Sequence, residues 1–461
     1  MATDEQIALG QCYVGGRLYY TTGGASGSKG LWMASTAGLV RVDEFLDRHP
    51  EAVPPGLPEL LRFQGARAEN LAARAQVRWS LASREAFHAG NRACDAKAIY
   101  RRLQNFVARY HWTSEPANYD LLTTFVMASY LFTVADAVPN LHLIGDPNTG
   151  KTRVSELVER FGFNPVMVSD TTSPALFRHL ALIRSLVILD EQDGMAERRL
   201  GAVLRAGYRP SGAILVCESG IPVALHCFSP KVIVTTCELT DQALATRVIR
   251  YTCERAPQPV EKFLDRLTKD EVAELRDDLH IFGLTAAPEI ADRYATHPHV
   301  DGVSNRDEEL GGLLWAVAAH VDDQPGPDLR LHDKLVRLMQ GISEERRRGR
   351  ELDGEKIVLK VAVENYLVEH GQEHVDGYPG YHLAEKFLKY VNTCCDLEHR
   401  IPNTKIASEK LRRHGLLADK KRARVRVDGA SQVPGMPRSV DNRVQRTAFK
   451  FTDTLSINSN T

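Results

Sequence analysis

The chain has 461 residues, of which 43% are hydrophobic and 25% are charged. These fractions are typical of globular proteins and exclude a disordered or collagen-like chain. The 58 Lys and Arg residues nearly balance the 59 Asp and Glu residues, which excludes a nucleic-acid binder that is basic throughout but not one with a single basic domain. No apolar run reaches the roughly 18 residues of a transmembrane helix, and the first residues lack the apolar stretch of a signal peptide. Eight cysteines are too few for a disulfide scaffold, so we expect a cytoplasmic protein with no membrane partner.

Changes in hydrophobic periodicity divide the chain into five predicted regions. In chain order these are a mixed N-terminal region (1–85), a helical linker (86–138), a core of alternating strands and helices (139–256), a helical lid (257–350) and a C-terminal domain (351–461). Within the first region, Gln11–Tyr20 predicts a hairpin that turns at Gly15-Gly16. The linker predicts helices at Ala96–Tyr110 and Tyr119–Phe132. The charged tract at 344–350 is typical of an exposed boundary.

Five short β-branched runs alternate with helical stretches in the core region. They are LHLIG (141–145), PVMVSD (165–170), SLVILDE (185–191), KVIVTT (231–236) and VIRYT (248–252). Continuous apolar strands separated by helices predict a parallel sheet that is covered on both faces. The segment 212–228 predicts a hairpin before the fourth of these strands.

The loop after the first of these strands matches the phosphate-binding pattern G-x-x-x-x-G-K-[ST] in full. Its residues are Gly145, Asp146, Pro147, Asn148, Thr149, Gly150, Lys151 and Thr152. In this motif the glycines let backbone N–H groups point at phosphate oxygens, the lysine reaches the β- and γ-phosphates, and the final hydroxyl is a ligand of Mg²⁺. The helix that follows offers the positive end of its dipole to the same anion. The strand–loop–helix setting therefore predicts a site for ATP and Mg²⁺.

Acidic and hydroxyl residues at the ends of two other strands are candidates for the catalytic groups. Four apolar residues lead into Asp190 and Glu191, which is the Walker B pattern. Asp190 would hold Mg²⁺ at the carboxyl end of the sheet, and Glu191 would act as the general base for the attacking water. Thr235 and Thr236 would contact the γ-phosphate or that water. The alternatives are an ordinary acidic turn and hydroxyls satisfied by their own backbone.

Several arginines are candidates for stabilising charge on the transferred phosphoryl group. Arg247 and Arg250 lie where a ring ATPase presents an arginine finger to the nucleotide of the neighbouring subunit. Arg205 and Arg209 are rival candidates, and for each of them a surface arginine is the alternative. Arg306 begins a helix after the core and is predicted to reach back to the bound nucleotide as a second sensor.

This combination of motifs resembles AAA+-type P-loop ATPases of phages, plasmids and genomic islands, in particular DUF3631-type proteins and primase-associated helicase-like ATPases. The segments that carry the resemblance are GDPNTGKT (145–152), LVILDE (186–191), AGYRPSG (206–212), FSPKVIVTT (228–236) and ATRVIRY (245–251). The resemblance implies an α/β P-loop core with a helical lid, a helical N-terminal region and a C-terminal winged helix. It also implies a homo-oligomeric ring and a helicase or helicase loader that acts on DNA in mobile-element replication. The apolar hairpin at 212–228 and the short loop at 237–247 depart from the family pattern.

Residues 401–450 form a strongly basic segment in a chain that is otherwise acidic. Thirteen Lys and Arg residues stand against four Asp and Glu residues, a formal net charge of +9, and the rest of the chain carries −10. Such an asymmetry is typical of a surface that binds a polyanion, and we expect this segment to contact DNA. The alternatives are a contact with another protein and a charged face that is simply solvated.

The same segment has the pattern of a winged helix. Residues 403–417 predict a helix that begins at Asn403 or Thr404, and 421–427 and 446–451 predict the two strands of a wing. A helix followed by a basic hairpin docks in the major groove with its wing on the phosphates. The side chains expected to face the duplex are Lys405, Lys410, Arg412 and Arg413.

Other functions stay open. The first rival is an ATP-driven regulatory or defence switch whose C-terminal domain binds a protein, and the second is a nucleotide-binding scaffold or transcription regulator. Cys217, Cys227 and Cys237 lack the close spacing of zinc ligands and are predicted to be buried structural cysteines. His111 and His142 are likewise predicted to be structural.

Overall fold

The computed structural model describes residues 8–24, 30–53, 57, 73–190, 195–218, 221–262, 265–370, 382–394, 401, 403–414, 416–426 and 443–451. Contacts divide the chain into two compact units, Met1–Ser343 and Glu344–Thr461. Among the described helices, none combines the length and the hydropathy needed to cross a bilayer. The finer domain boundaries expected from the sequence stay predictions.

The N-terminal part of the first unit is a four-stranded antiparallel sheet in the order β1-β2-β3-β4. Its strands are β1 (Gln11–Val14), β2 (Arg17–Gly23), β3 (Leu31–Ser35) and β4 (Gly38–Arg41), followed by helix α1 (Val42–Arg48) and a 3₁₀ turn (Pro50–Ala52). The hairpin predicted at Gly15-Gly16 is confirmed. Both glycines have positive φ values, 55° and 71°, which a tight two-residue turn requires.

Three helices follow: α2 (Leu81–His88), α3 (Ala96–Tyr110) and α4 (Ala117–Ser129). Helix α3 has the predicted bounds, and the Asp95 carboxylate caps it by accepting a hydrogen bond from the backbone N–H of Ala98. Helix α4 ends three residues before the predicted position because Phe132–Val134 forms a separate 3₁₀ turn. Both helices bury apolar faces in the main core of the unit.

A five-stranded parallel sheet forms the centre of the first unit, in the order β11-β5-β10-β7-β6. Its strands are β5 (Asn140–Ile144), β6 (Val166–Val168), β7 (Val187–Leu189), β10 (Lys231–Thr235) and β11 (Val248–Thr252). All five strands predicted from the sequence are present; β5 and β11 have the predicted length, and β6, β7 and β10 are shorter than their predicted runs. The intervening helices are α5 (Lys151–Phe161), α6 (Ser173–Leu182), α7 (Met195–Ala206) and α8 (Gln242–Ala245).

Side chains of alternate residues in the sheet enter two separate hydrophobic clusters. On one face, Leu143 and Val234 join the main core with α3, α4 and α5. On the other face, Leu189 and Ile233 pack with α6, α7 and α8. The prediction of a parallel sheet with both faces covered is therefore confirmed.

An antiparallel hairpin, β8 (Ala213–Glu218) and β9 (Ile221–His226), precedes the central strand β10 as predicted. Three long helices follow the sheet: α9 (Asp265–Thr296), α10 (Asn305–Asp322) and α11 (Leu331–His370). The charged tract 344–350 lies inside α11, and the pair Glu344–Arg348 is one helical turn apart. This ion pair stabilises a continuous helix, while the tract is mostly exposed and its first residue is also the first residue of the second unit.

The second unit has its own core around a three-stranded sheet in the order β12-β14-β13. Its elements are β12 (His382–Leu383), α12 (Ala384–Cys394), α13 (Thr404–Arg413), β13 (Leu417–Arg426) and β14 (Arg443–Phe451). Asn403 is the cap of α13, since its side-chain oxygen accepts hydrogen bonds from the backbone N–H groups of Lys405 and Ile406, each 3.0 Å long. The predicted helix and the two antiparallel strands after it are thus present, and the strands begin earlier in the chain than expected.

Candidate nucleotide-binding site

Three predicted parts of the site lie at the ends of three adjacent strands. They are the phosphate loop, the metal ligand Asp190 and the candidate sensor Thr235. In the parallel register, Thr235 at the end of β10 pairs with Ile144 of β5, so it is level with the start of the loop at Gly145. On the other side of β10, Leu189 of β7 pairs with Ile233, which brings Asp190 close to the same level. Because the strands are parallel, all three groups meet at the carboxyl edge of the sheet, where open α/β sheets bind ligands.

The phosphate loop has the backbone conformation that its sequence requires. Asn148 and Gly150 have φ values of 67° and 90°, and Gly150 is the residue before the first turn of α5. A methyl group on Gly145 would lie 2.3 Å from the carbonyl oxygen of Cys253, so this position has no room for a side chain. The Lys151 ammonium donates hydrogen bonds to the carbonyl oxygens of Gly145 and Asp146. The loop therefore directs its lysine and the N-terminus of α5 to one place.

A cavity of about 440 Å³ adjoins the loop and is large enough for a small ligand. One wall is the loop itself, residues 148–153. The other walls come from the end of α3 and from the segment after β11, and the residues concerned are Tyr110, His111, Trp112, Glu254, Ala256 and Val260. The cavity therefore places aromatic and apolar groups beside a phosphate-binding loop.

His111 holds one wall of this cavity in place. Its Nε2 atom lies 2.8 Å from the hydroxyl of Tyr251 on β11, and its carbonyl oxygen accepts a hydrogen bond of 3.1 Å from the hydroxyl of Tyr119. Burial lowers the pKa of His111 to about 4, so the imidazole is neutral at pH 7. This histidine is buried and hydrogen-bonded, and it also lines the cavity.

Thr235 is held by two hydrogen bonds and is only 4% exposed. Its hydroxyl donates to the carbonyl oxygen of Cys237 at 2.7 Å and lies 2.7 Å from Nε2 of His142 on β5. Since the hydroxyl hydrogen is directed at Cys237, the imidazole is the donor in the second bond. Thr236 is exposed at the same edge. The sensor role of both threonines stays a prediction. His142 adds a direct contact with one of them, Thr235.

Asp190 is 8% exposed, and its backbone N–H donates to the carbonyl oxygen of Val168. The carboxylate of Asp190 and the exposed hydroxyl of Thr152 are hard oxygen ligands of the kind that Mg²⁺ prefers. The residues present at this edge therefore fit a magnesium site. Glu191 lies outside the described residues.

Two of the predicted arginines, Arg247 and Arg306, do not lie at this edge. Arg247 immediately precedes β11 at the amino edge of the sheet, where its carbonyl oxygen accepts a hydrogen bond from the backbone N–H of Asn140. The guanidinium of Arg306 lies 5.8 Å from the ring centre of Tyr208 and that of Arg247 lies 5.0 Å from it. The length of β5, a rise of roughly 15 Å, separates this group from the phosphate loop.

Arg306 is consequently not brought to the nucleotide site of its own chain, contrary to the expectation of a second sensor that reaches back. The hydroxyl of Tyr208 accepts a hydrogen bond of 3.4 Å from Arg306 and fixes it at the amino edge. Arg250 is exposed and forms an ion pair of 2.8 Å with Glu238. Arg205 and Arg209, the rival candidates, are paired with Asp241 and Glu309.

The prediction of three buried cysteines is wrong for two of them. Cys227 is buried, but Cys217 and Cys237 are exposed. Cys217 lies on the outward face of the β8–β9 hairpin, and Cys237 lies in the loop after β10. Alternation along a two-stranded hairpin exposes every second residue, which an apolar sequence alone does not reveal.

Two features of the site were missed at the level of sequence. The wall formed by Tyr110, His111 and Trp112 comes from a segment more than thirty residues before the loop, and only the run of three ring side chains hinted at it. The contact between His142 and Thr235 links residues 93 positions apart and depends on the strand order β5-β10.

Comparison with known proteins adds little to this description. No protein-family model and no curated protein matches the chain. The resemblance to AAA+-type ATPases therefore has no support from a family match and stays a prediction. A solved structure titled SCCmec type IV Cch, active helicase, is 11% identical over 75% of this chain and 69% of its own, with a TM-score of 0.38. A likeness at that level is distant.

Proposed function

We propose that the first unit binds ATP with Mg²⁺ at the phosphate loop and hydrolyses it. The observation that carries this proposal is the convergence of the loop, Asp190 and Thr235 on adjacent strands, beside a cavity of about 440 Å³ with aromatic walls. A buried carboxylate, a hydroxyl and a phosphate loop at one sheet edge are the groups that phosphoryl transfer requires.

Each residue of the site would have a separate role in ATP hydrolysis. The backbone N–H groups of the loop and the dipole of α5 would bind the phosphates, and the Lys151 ammonium would exchange its carbonyl partners for phosphate oxygens. Thr152 and Asp190 would hold Mg²⁺, which supplies positive charge against the phosphates. Glu191 would accept a proton from water as the water oxygen bonds to the γ-phosphorus and the bond to the bridging oxygen breaks, which leaves ADP and phosphate. Thr235 would orient that water.

Calorimetric titration of the whole chain with ATP and Mg²⁺ tests the binding step. Wild-type protein should bind one ATP, and Lys151→Ala should weaken binding because one cation is lost from the phosphates. A control for the loss of a lysine charge needs an exposed lysine. Lys97 does not qualify, because it is buried and bound to backbone carbonyl oxygens. The exposed Lys405→Ala, which lies in the second unit, should leave ATP affinity unchanged. Equal affinities in wild type and Lys151→Ala would contradict the proposed site.

We further propose that Arg247 and Arg306 act on the nucleotide of a neighbouring copy in a homo-oligomeric ring. Both guanidinium groups lie against Tyr208 at the edge of the sheet opposite to their own loop, so a second chain is needed to bring them to a nucleotide. A mixture of Arg247→Ala and Glu191→Gln subunits tests this role. Each variant alone should be inactive, and mixing should restore part of the turnover because some interfaces combine two intact halves. No restoration on mixing, with oligomers verified by light scattering, would contradict an action between subunits.

DNA is the partner that we propose for the second unit. Helix α13 buries Ala407, Ser408 and Leu411, and it exposes Lys405 and Arg412, which are two turns apart on one face. Together with the antiparallel pair β13–β14, this is the arrangement expected of a winged helix, in which such a face binds phosphates and base edges.

The matched control for this proposal lies on the same helix. Lys405→Gln and Arg412→Gln should each weaken binding to a labelled duplex in fluorescence anisotropy and reduce its salt dependence. Glu409→Gln, exposed between them, should not weaken it. Identical affinities for all three variants and the wild type would show that α13 does not contact the DNA.

A second candidate function, an ATP-driven switch that acts on a protein, is favoured by one observation. The outward face of the β8–β9 hairpin consists of Leu215, Cys217, Pro222 and Ala224, with no charged residue among these four. Leu215 is 75% exposed. A hairpin that contacts DNA needs cationic groups, so this surface suits a protein partner better. ATP turnover that does not respond to DNA would favour this second function.

A further inference from the structure

Two histidines from different helices meet on the first unit, away from the nucleotide cavity. His297 follows the last residue of α9, and His332 is the second residue of α11. Their Nε2 atoms are 3.1 Å apart. Neither residue lines the cavity at the phosphate loop, and neither takes part in the function proposed above.

The Nε2 atoms of the two rings face each other, and a hydrogen bond to the backbone fixes the tautomer of His297. The Nδ1–H of His297 donates to the carbonyl oxygen of Pro298 at 2.8 Å, so the lone pair of this neutral ring is on Nε2. In His332 the Nδ1 atom lies 3.8 Å from a carboxylate oxygen of Asp333. Without a metal, His332 therefore donates its Nε2–H to Nε2 of His297. When an ion takes the place of that hydrogen, a proton on Nδ1 of His332, near Asp333, leaves the lone pair on Nε2 in the second ring as well. Imidazoles that donate their other N–H to a carbonyl or a carboxylate are the usual metal ligands.

The distance between the two nitrogens suits a shared metal ion. Two imidazole nitrogens at about 2.0–2.1 Å from one ion lie about 3.3 Å apart in tetrahedral geometry and about 2.9 Å apart at a right angle. The observed 3.1 Å falls between these limits. The His332 side chain is 33% exposed, which gives an ion access to the pair.

We propose that His297 and His332 bind one borderline transition-metal ion, such as Zn²⁺, Ni²⁺ or Cu²⁺, and thereby link the end of α9 to the start of α11. Among the described residues there is no group of three or more histidine, cysteine and acidic side chains that could hold a metal. The described residues therefore supply two ligands, and water supplies the rest. Imidazole selects these ions over Mg²⁺, which separates this site from the one at the phosphate loop.

Trp315 provides a local reporter for the proposed site. Its ring stacks on His297, with ring centres 4.9 Å apart and an angle of 27° between the planes. A paramagnetic ion such as Ni²⁺ bound at His297 should quench the fluorescence of this tryptophan. The quenching should be smaller in Trp315→Phe, because the chain's three other tryptophans lie elsewhere in the sequence.

The test uses the full chain, Ni²⁺ alone as the probe, and equilibrium dialysis beside the fluorescence titration. Wild-type protein should bind one Ni²⁺ more than His297→Gln or His332→Gln, and both variants should lose the quenching. His299→Gln is the matched control, because His299 is 64% exposed and pairs with Glu308 instead. It should bind as many ions as the wild type.

A second measurement needs no variant at the pair. Zn²⁺ added to the Ni²⁺-loaded wild type should displace Ni²⁺ and restore the fluorescence, since Zn²⁺ is not paramagnetic. Equal Ni²⁺ stoichiometry in wild type and both pair variants, or quenching that persists in them, would show that the two rings merely share a hydrogen bond. Quenching that Zn²⁺ does not reverse would also overturn the proposal.

Discussion

The hydrogen bond between His142 and Thr235 allows the sensor role of this threonine to be tested separately from its structural role. Thr235→Val keeps the shape of the side chain and removes the hydroxyl, and His142→Phe removes the donor at 2.7 Å. Thr235 is 4% exposed and His142 is 2% exposed, so Thr235→Val leaves the Nε2–H of a buried imidazole without its acceptor, whereas after His142→Phe the Thr235 hydroxyl keeps its bond to Cys237. Such a loss costs about 1–3 kcal/mol in the free energy of unfolding. The double variant removes both groups and should be less destabilised than the sum of the single variants, with a coupling of roughly 1 kcal/mol.

Urea unfolding measures the structural part of this prediction, and ATP turnover at saturating ATP measures the functional part. If Thr235 orients the attacking water, Thr235→Val should lower kcat by about 10²-fold, the scale found when a single preorganised hydrogen-bonding group is removed. His142→Phe should lower kcat less, and it should have little further effect in the Thr235→Val background because it acts through that hydroxyl. A kcat within twofold of wild type for folded Thr235→Val would refute the sensor role and leave a purely structural hydrogen bond.

Three further predictions follow from the cavity, the loop and a buried histidine. Trp112→Ala should weaken ATP binding by about 5- to 150-fold in calorimetry, since stacking a base on an aromatic ring contributes about 1–3 kcal/mol; an unchanged affinity would remove Trp112 from the base site. Gly145→Ala should abolish ATP binding, because the new methyl group would meet the carbonyl oxygen of Cys253 at 2.3 Å, whereas Gly341→Ala, which meets nothing within 4 Å, should bind normally. Burial lowers the pKa of His280 to about 3, so the folded state keeps this ring neutral while the unfolded state takes up a proton below pH 6.5. The free energy of unfolding should therefore fall as the pH is lowered, with His280 contributing about 3 kcal/mol of that fall at pH 4.5. Urea unfolding of His280→Phe should show a smaller fall, and an identical pH dependence would contradict the assignment.

The parallel sheet and the phosphate loop were predictable because their signals are local. The strands β5 and β10 are continuously buried runs of five residues rich in Leu, Ile and Val, and the glycines at 145 and 150 belong to one continuous motif. The cap of α13 at Asn403 was predictable for the same reason, since a cap depends on residues one turn away.

The parts that could not be predicted depend on contacts between distant segments. The position of Arg306 at the start of a helix after the core predicted a sensor. Its partner Tyr208, however, lies 98 positions away in the sequence and holds Arg306 at the opposite edge of the sheet. Trp112 enters the site only because α3 ends beside the loop. The exposure of Cys217 follows from hairpin alternation and not from its apolar neighbours. Periodicity indicates which elements form, but the order of strands in the sheet decides which side chains meet.

ATP hydrolysis by the purified full chain, measured with and without single- and double-stranded DNA, tests the central claim most directly. We expect Mg²⁺-dependent turnover in the wild type, a several-fold increase with DNA, and loss of turnover in Glu191→Gln while ATP is still bound. Lys151→Ala should bind ATP more weakly and lose turnover. Turnover that persists in both variants would contradict a P-loop ATPase at this sheet edge.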